Sequence, residues 1–308
     1  MGAGHGHAPR PTGSPGSHAG GAHRWRLQVA VVLVTAFFVV ELVTGLVAGS
    51  LALLSDAGHM AADVVALGAA LVATRIATRP DATGRRTFGS YRAEVFASGL
   101  AVLLMLGVSA YIVLEAVGRA GEEPTVATGA MLVVGALGLA VNLAAMALLR
   151  GGAGESLNVK GAYLEVVADT VGSVGVVAAG ILVSVTGNAV WDTVIALAIA
   201  IFVAVRAVLL GREVLAVLGQ HAPAGIHPEQ AEATLRSVAD VVDVHDLHLW
   251  TLTSGMHVAT AHLVCADGAD PGTVLADAGT RLREEFGIDH ATLQVEPRGA
   301  RSCVETSW

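Results

Sequence analysis

The chain has 308 residues, 54% of them hydrophobic and only 14% charged, with a mean hydropathy of +0.64. Soluble domains carry about 25% charged residues, so this apolar surplus cannot hide in one water-soluble core; a soluble enzyme is excluded in favour of membrane spans. The net charge of −8 leaves no basic patch to track phosphates and excludes nucleic acid as a partner.

Residues 1–26 are rich in Gly, Pro, Ser and His and lack the apolar core of a signal peptide, which predicts a disordered tail. Its His5, His7, His18 and His23 are either a weak metal-capture tract or ordinary tail residues. Six apolar runs follow, at 27–48, 51–74, 93–118, 126–149, 161–186 and 189–211. Each is about 20 residues or longer, enough at about 1.5 Å rise to cross about 30 Å of hydrocarbon. An all-α, six-helix transmembrane domain is therefore expected over 27–212.

The basic residues set its orientation. Arg10, Arg24, Arg26, Arg75, Arg79, Arg85, Arg86, Arg92, Arg150, Lys160, Arg206 and Arg212 fall on one side of the six runs, and Arg119 alone on the other. The basic side is cytoplasmic, which places both termini there. All 18 basic residues except Lys160 are arginine, the mark of a GC-rich coding sequence. With the short loops, this points to a bacterial plasma (inner) membrane.

Charged residues return from position 213. Pro228–Ala239 reads as an amphipathic helix opened by its proline. Val241–Leu252 and Met256–Val264 read as strands joined at Ser254-Gly255, Pro271–Phe286 as a second helix and His290–Glu296 as a last strand. The αββαβ order predicts a small cytoplasmic α+β domain over 213–298, both helices on one face of the sheet, and then a tail at 299–308. At about 85 residues such a domain is marginal alone and commonly needs a partner surface. The two cysteines, Cys265 and Cys303, make neither a disulfide scaffold nor a zinc ribbon; Cys303 reads as a free cytosolic thiol.

The informative residues lie inside the second and fifth runs. His59 and Asp63 are four apart, as are Glu165 and Asp169, so each pair shares one helix face a turn apart. Ionisable groups at membrane depth cost several kcal/mol each by insertion scales and so face protein, water or an ion. A single buried Asp or His is often a hydrogen-bonded structural group. Two spaced pairs on two helices can instead close a four-ligand shell of imidazole and carboxylate, at the distances of about 2.0–2.2 Å that suit Zn²⁺. Asp56, three before His59, is a capping or gating group, and Glu41 in the first run joins it as an accessory or gating candidate. Ala168, Gly172, Gly175 and Ala179 give the fifth helix a small-residue face for close packing.

The run from Ser50 to Asp63 (SLALLSDAGHMAAD) resembles the second helix of the cation diffusion facilitator family. So do Phe88–Glu94 before the third helix and Asn158–Asp169 in the fifth, while His245–Trp250 (HDLHLW) and Leu293–Glu296 resemble that family's cytoplasmic domain. The match covers nearly all the chain after residue 25. The resemblance implies a homodimeric six-helix exporter of zinc and similar divalent ions that exchanges metal for protons, with a ferredoxin-like cytosolic dimer domain. It also makes His245 and His262 candidates for a regulatory metal site with His290 or Glu296 nearby; histidines packed at a dimer surface are the alternative. Alternation sends His245 and His248 to opposite strand faces, so they cannot share an ion without a bulge. Asp246, Arg92 and Glu94 read as helix–domain contacts or salt links.

Glu165 departs from the family's His-Asp pair on both helices. Neutral His59 with three carboxylates carries one negative charge more than a divalent ion balances, so the site is expected to keep at least one proton and release it when metal binds. The harder oxygen ligand widens tolerance to Cd²⁺, Co²⁺ or Mn²⁺. Metal ligands must be deprotonated, so protons and metal compete for the same groups. That coupling needs neither ATP nor a prosthetic group, and no Walker-type loop occurs in the sequence. Two competing functions are weaker. An intramembrane metalloprotease would show His-Glu-x-x-His, which is absent. A membrane-anchored metal sensor would work without His59 or Asp63. A transporter with Mn²⁺ or Fe²⁺ as its main cargo is a variant of the first reading.

Overall fold

The computed structural model describes residues 24–77, 87–88, 92–119, 126–151, 157–253 and 255–299, with the side chains of 24–28, 30, 66–77 and 157–162 undescribed. His5, His7, His18, His23, Arg79, Arg85, Arg86 and Cys303 lie outside the described residues. The chain forms two compact units, Met1–Val64 with Leu104–Arg206 and Val65–Leu103 with Ala207–Trp308.

Six long helices occur among the described residues: α1 (Arg24–Ala48), α2 (Leu51–Ala77), α3 (Ala93–Gly118), α4 (Thr128–Arg150), α5 (Leu157–Thr186) and α6 (Val190–Leu218). Five are long and apolar enough to cross a bilayer: α3, α4, α6, Val31–Ala48 of α1 and Tyr163–Thr186 of α5. They turn large apolar side chains such as Val47, Leu114, Val133, Val171 and Val185 outward. In water that would be an association hazard; in lipid it is the expected surface. The chain is thus a multi-pass membrane protein. The sixth expected span, α2, carries Asp56, His59 and Asp63, and its side chains past Val65 lie outside the described residues.

In the first unit α4 packs against both α1 and α5. The entry into α2 is fixed by polar contacts. Gly49, at φ 66°, makes the left-handed turn after α1, and Arg119 Nη1 donates to its carbonyl at 2.8 Å. Ser50 Oγ then caps the helix, accepting from Leu53 N at 3.2 Å. Asp192, wholly buried near the start of α6, accepts from Ser50 Oγ (2.6 Å), Leu51 N (2.7 Å) and Ala52 N (3.2 Å). A carboxylate from one helix therefore satisfies the orphan donors and positive end of another.

The second unit holds α7 (Pro228–Arg236), β1 (Val241–Thr253), β2 (Met256–Cys265), α8 (Pro271–Phe286) and β3 (His290–Pro297). The sheet order is β1-β2-β3, with β1/β2 antiparallel and β2/β3 parallel. Helix α7 ends three residues before the expected Ala239 because the Ser237 hydroxyl bonds back to Thr234 O (2.7 Å) and Asp240, at φ 65°, turns the chain into β1. Asp270 caps α8, accepting from Thr273 N (2.9 Å) and Oγ1 (2.7 Å), and Gly287 ends it in the left-handed region. Ala231 and Leu235 of α7 and Val274, Ala278 and Leu282 of α8 share a core with Ala259, Ala261, Leu263 and Cys265 of β2. Both helices therefore cover one sheet face.

Candidate metal sites

Two clusters bring histidine and carboxylate together. In the first, α2 presents His59 and Asp63, and α5 presents Glu165 and Asp169. His59 Nε2 lies 3.5 Å from Asp169 Oδ1, 3.7 Å from Asp63 Oδ2 and 3.9 Å from Glu165 Oε1. One donor atom from each of His59, Asp63 and Asp169 falls within 4.8 Å of the other two. An ion held tetrahedrally at about 2.0–2.2 Å spaces its ligands roughly 3.4 Å apart, so these three are close to ligating distance before any rearrangement.

Glu165 is not in that triplet because it is otherwise engaged. Arg206 of α6 donates from Nη2 to Glu165 Oε1 (2.7 Å) and Oε2 (2.8 Å), and its Nη1 lies 2.7 Å from His59 Nε2. In the sequence Arg206 reads only as a positive charge flanking the sixth apolar run. The signal that marks it is its position: the apolar run does not stop there but continues through Ala207-Val-Leu-Leu210. This changes the charge count. Three ionised carboxylates beside one guanidinium leave two negative charges, which a divalent ion matches, so the surplus charge does not by itself require a retained proton.

Asp56 and Glu41 form a separate buried pair, each 1% exposed. Their carboxyls are neighbours, and close by Asn142 Nδ2 donates to Ser173 Oγ at 3.1 Å. Helix α5 can approach because position 172 is glycine: a Cβ there would collide with Asp56 Oδ1. Both Glu41 oxygens, Asp56 Oδ1 and Asn142 Oδ1 receive no hydrogen bond among the described residues. Asp56 is therefore not a helix cap; Ser50 and Asp192 do that work.

The second cluster lies on the sheet face away from the helices. His262 Nδ1 is 3.0 Å from Glu296 Oε1, and His245 Nε2 is 3.4 Å from Glu296 Oε2. The two imidazoles meet edge to face at 5.2 Å, and Gln294 Nε2 donates to Glu296 Oε1 at 2.8 Å. The expected opposite facing of His245 and His248 is overturned by a bulge. His245 pairs with His262 and His248 with Thr260, so β1 carries one extra residue between them, with Asp246 at φ 52°. Both histidines consequently share a face. Asp246, expected to hold a helix–domain contact or a salt link, makes the second, 3.0 Å from His248 Nε2 and 3.9 Å from His262 Nε2.

His290 does not join this cluster. It pairs with Val258, while His262 pairs with Gln294, about 13 Å further along at 3.3 Å per residue, and its ring packs on Phe88 at 5.6 Å. Glu94 makes the expected helix–domain contact, accepting from Thr253 Oγ1 at 3.0 Å. Burial and the nearby Asp240 carboxylate raise the Cys265 thiol above its ordinary range, so it is a poor metal ligand.

Residues 27–218 match the family model of the cation efflux transmembrane domain, and residues 223–298 that of the cation efflux protein cytoplasmic domain. The chain belongs to the cation efflux, or cation diffusion facilitator, family. Its members are transporters, not enzymes. It is 42% identical over 297 residues to the metal cation efflux system protein CzcD of Cupriavidus metallidurans, covering 96% of this chain and 90% of that protein. It is 33% identical over 288 residues to a cadmium, cobalt and zinc/H(+)-K(+) antiporter of Bacillus subtilis (91% of each). It is 32% identical over 273 residues to the zinc transporter ZitB of Escherichia coli (88% and 87%). A solved metal-bound C-terminal domain of the CzcD transporter shares 33% identity, covering 23% of this chain and 99% of that one, with a TM-score of 0.22.

Proposed function

We propose that this protein exports divalent cations, Zn²⁺ first and Cd²⁺ or Co²⁺ with it, from the cytoplasm in exchange for protons. The carrying observation is the convergence of His59, Asp63 and Asp169 from two helices onto one ligating volume, with Glu165 as the fourth donor. Metal loads from the cytoplasmic side onto these groups. Protons arriving from the other side compete for the same lone pairs and release it, while one helix group tilts against another. The relatives' names, an H(+)-K(+)-coupled antiporter among them, support this coupling.

The working arrangement is a homodimer of six-span subunits, with α2 as the sixth span and the αββαβ unit as a ferredoxin-like cytoplasmic dimer domain. Both termini are cytoplasmic, in a bacterial inner membrane; the one-sided basic residues support that placement. His245, His262 and Glu296 form a regulatory metal site there, with Asp246 at its edge. Glu41 and Asp56 are accessory groups beside the pathway. Flux of Zn²⁺, Cd²⁺, Co²⁺ and Mn²⁺ into proteoliposomes under a pH gradient tests the proposal. Metal entry must follow the gradient and vanish in Asp63→Ala and Asp169→Ala. The cytoplasmic cluster favours a second reading, a membrane-anchored sensor, under which those two variants keep full function.

A further inference from the structure

Arg206 does more than neutralise Glu165. A guanidinium has only donors, so at 2.7 Å its Nη1 takes the lone pair of His59 Nε2. That lone pair is the one a metal at the His59–Asp63–Asp169 triplet needs. At the same time Nη2 holds both oxygens of Glu165, the fourth donor. This arrangement and ligation of a metal through His59 Nε2 are mutually exclusive: that nitrogen has one lone pair and must leave Arg206 before it can reach an ion, while the guanidinium's hold fixes where Glu165 lies. The guanidinium has somewhere to go. Its side chain is 30% exposed, and one turn earlier on α6 the Phe202 ring lies 6.0 Å from its Cζ, a surface over which a cation can rest.

We infer that Arg206 is a tethered internal cation that competes with the transported metal for His59 and Glu165 and takes the metal's electrostatic place on the leg of the cycle that returns without cargo. The inference rests on the transport reading above. An antiporter of this kind must carry its site across the bilayer twice. Loaded, three carboxylates face a divalent ion; unloaded, they face one another inside a low-dielectric interior, which is costly. Arginine is suited to the second leg because it stays charged in any surroundings and its planar fork reaches an imidazole and a carboxylate together. A lysine ammonium at this position is a compact point charge with a shorter reach and lacks the planar fork.

The test separates two flux modes of the full-length protein in liposomes. Net Zn²⁺ uptake under a pH gradient requires the return leg; exchange of labelled for unlabelled Zn²⁺, with metal on both sides, does not. Arg206→Gln should lower net uptake by about tenfold or more and lower exchange by clearly less, since only net uptake requires the unloaded return. It should also tighten Zn²⁺ binding to the detergent-solubilised protein about tenfold, because the competing conformer is gone. Should Arg206→Gln fail to fold, Arg206→Lys carries the same test: net uptake should still fall further than exchange. Net uptake and exchange falling together, neither changing, or Zn²⁺ binding that weakens or stays the same would overturn the inference and leave the transport reading standing. Wild-type protein that moves no metal in either mode overturns both.

Discussion

The two histidine–carboxylate clusters use nearly the same donors and are built on opposite logic. In the membrane, His59 is almost fully enclosed (3% exposed) and faces three carboxylates together with a guanidinium that occupies it. On the sheet, His245 is 38% exposed and shares with His262 the buried carboxylate of Glu296, which a glutamine steadies. On the proposed transport reading the membrane cluster has to let go of its ion in every cycle, and the inferred competition from Arg206 serves release. On the proposed regulatory reading the sheet cluster has to hold its ion, and a buried carboxylate between two imidazoles serves retention.

Several substitutions would break or sharpen that contrast. The largest effect is expected from Asp169→Ala or Asp63→Ala. Each removes a donor from the triplet and should cut proteoliposome metal flux about a hundredfold or more, with the elution profile in detergent unchanged. Glu296→Ala should weaken metal binding at the cytoplasmic cluster about 10–100-fold. Calorimetry on full-length protein that also carries Asp63→Ala reads that site alone. Transport by the Glu296→Ala single variant should persist at a reduced rate.

Glu165→His is the more pointed substitution. Taken alone it supplies a second nitrogen donor, but it removes the carboxylate that holds Arg206 Nη2. Net Zn²⁺ flux should fall about tenfold and recover in the Glu165→His/Arg206→Gln double variant, a coupling that a double-mutant cycle measures. Recovery should come with a preference for Zn²⁺ over Cd²⁺ and Co²⁺. Asp192→Ala leaves buried donors at the start of α2 unpaired, which should cost about 1–3 kcal/mol, read as a lower melting temperature in detergent. Asp270→Ala is the smallest change. Thr273 holds that carboxyl below the usual aspartate range, so its stabilisation is present above that range and lost as pH falls through the lowered value. The melting difference from wild type should therefore shrink on acidification.

Much of this was legible in the residues. The i, i+4 spacing within α2 and α5 fixed which donors share a face, and Pro228 and Pro271 marked the starts of α7 and α8. What stayed hidden depends on how elements meet. Nothing local to α6 says that Arg206 turns toward His59 rather than toward lipid headgroups, because that depends on the rotation of one helix against two others. The pairing of Glu41 with Asp56 is of the same kind. The bulge at Asp246 was invisible because one extra strand residue leaves no mark on alternation, and the exclusion of His290 follows from a parallel register set by the whole β2–α8–β3 connection.

The anchoring of α6 to α2 has a mechanical consequence. Asp192 fastens the first turn of α6 to Ser50, Leu51 and Ala52, while Arg206 lies fourteen residues further along the same helix. At 1.5 Å per residue that is a lever of about 21 Å, so a swing of about 10° about the fastened end carries the guanidinium roughly 4 Å. Such a small pivot is enough to part Arg206 from His59 without disturbing the joint that keeps the two helices in register.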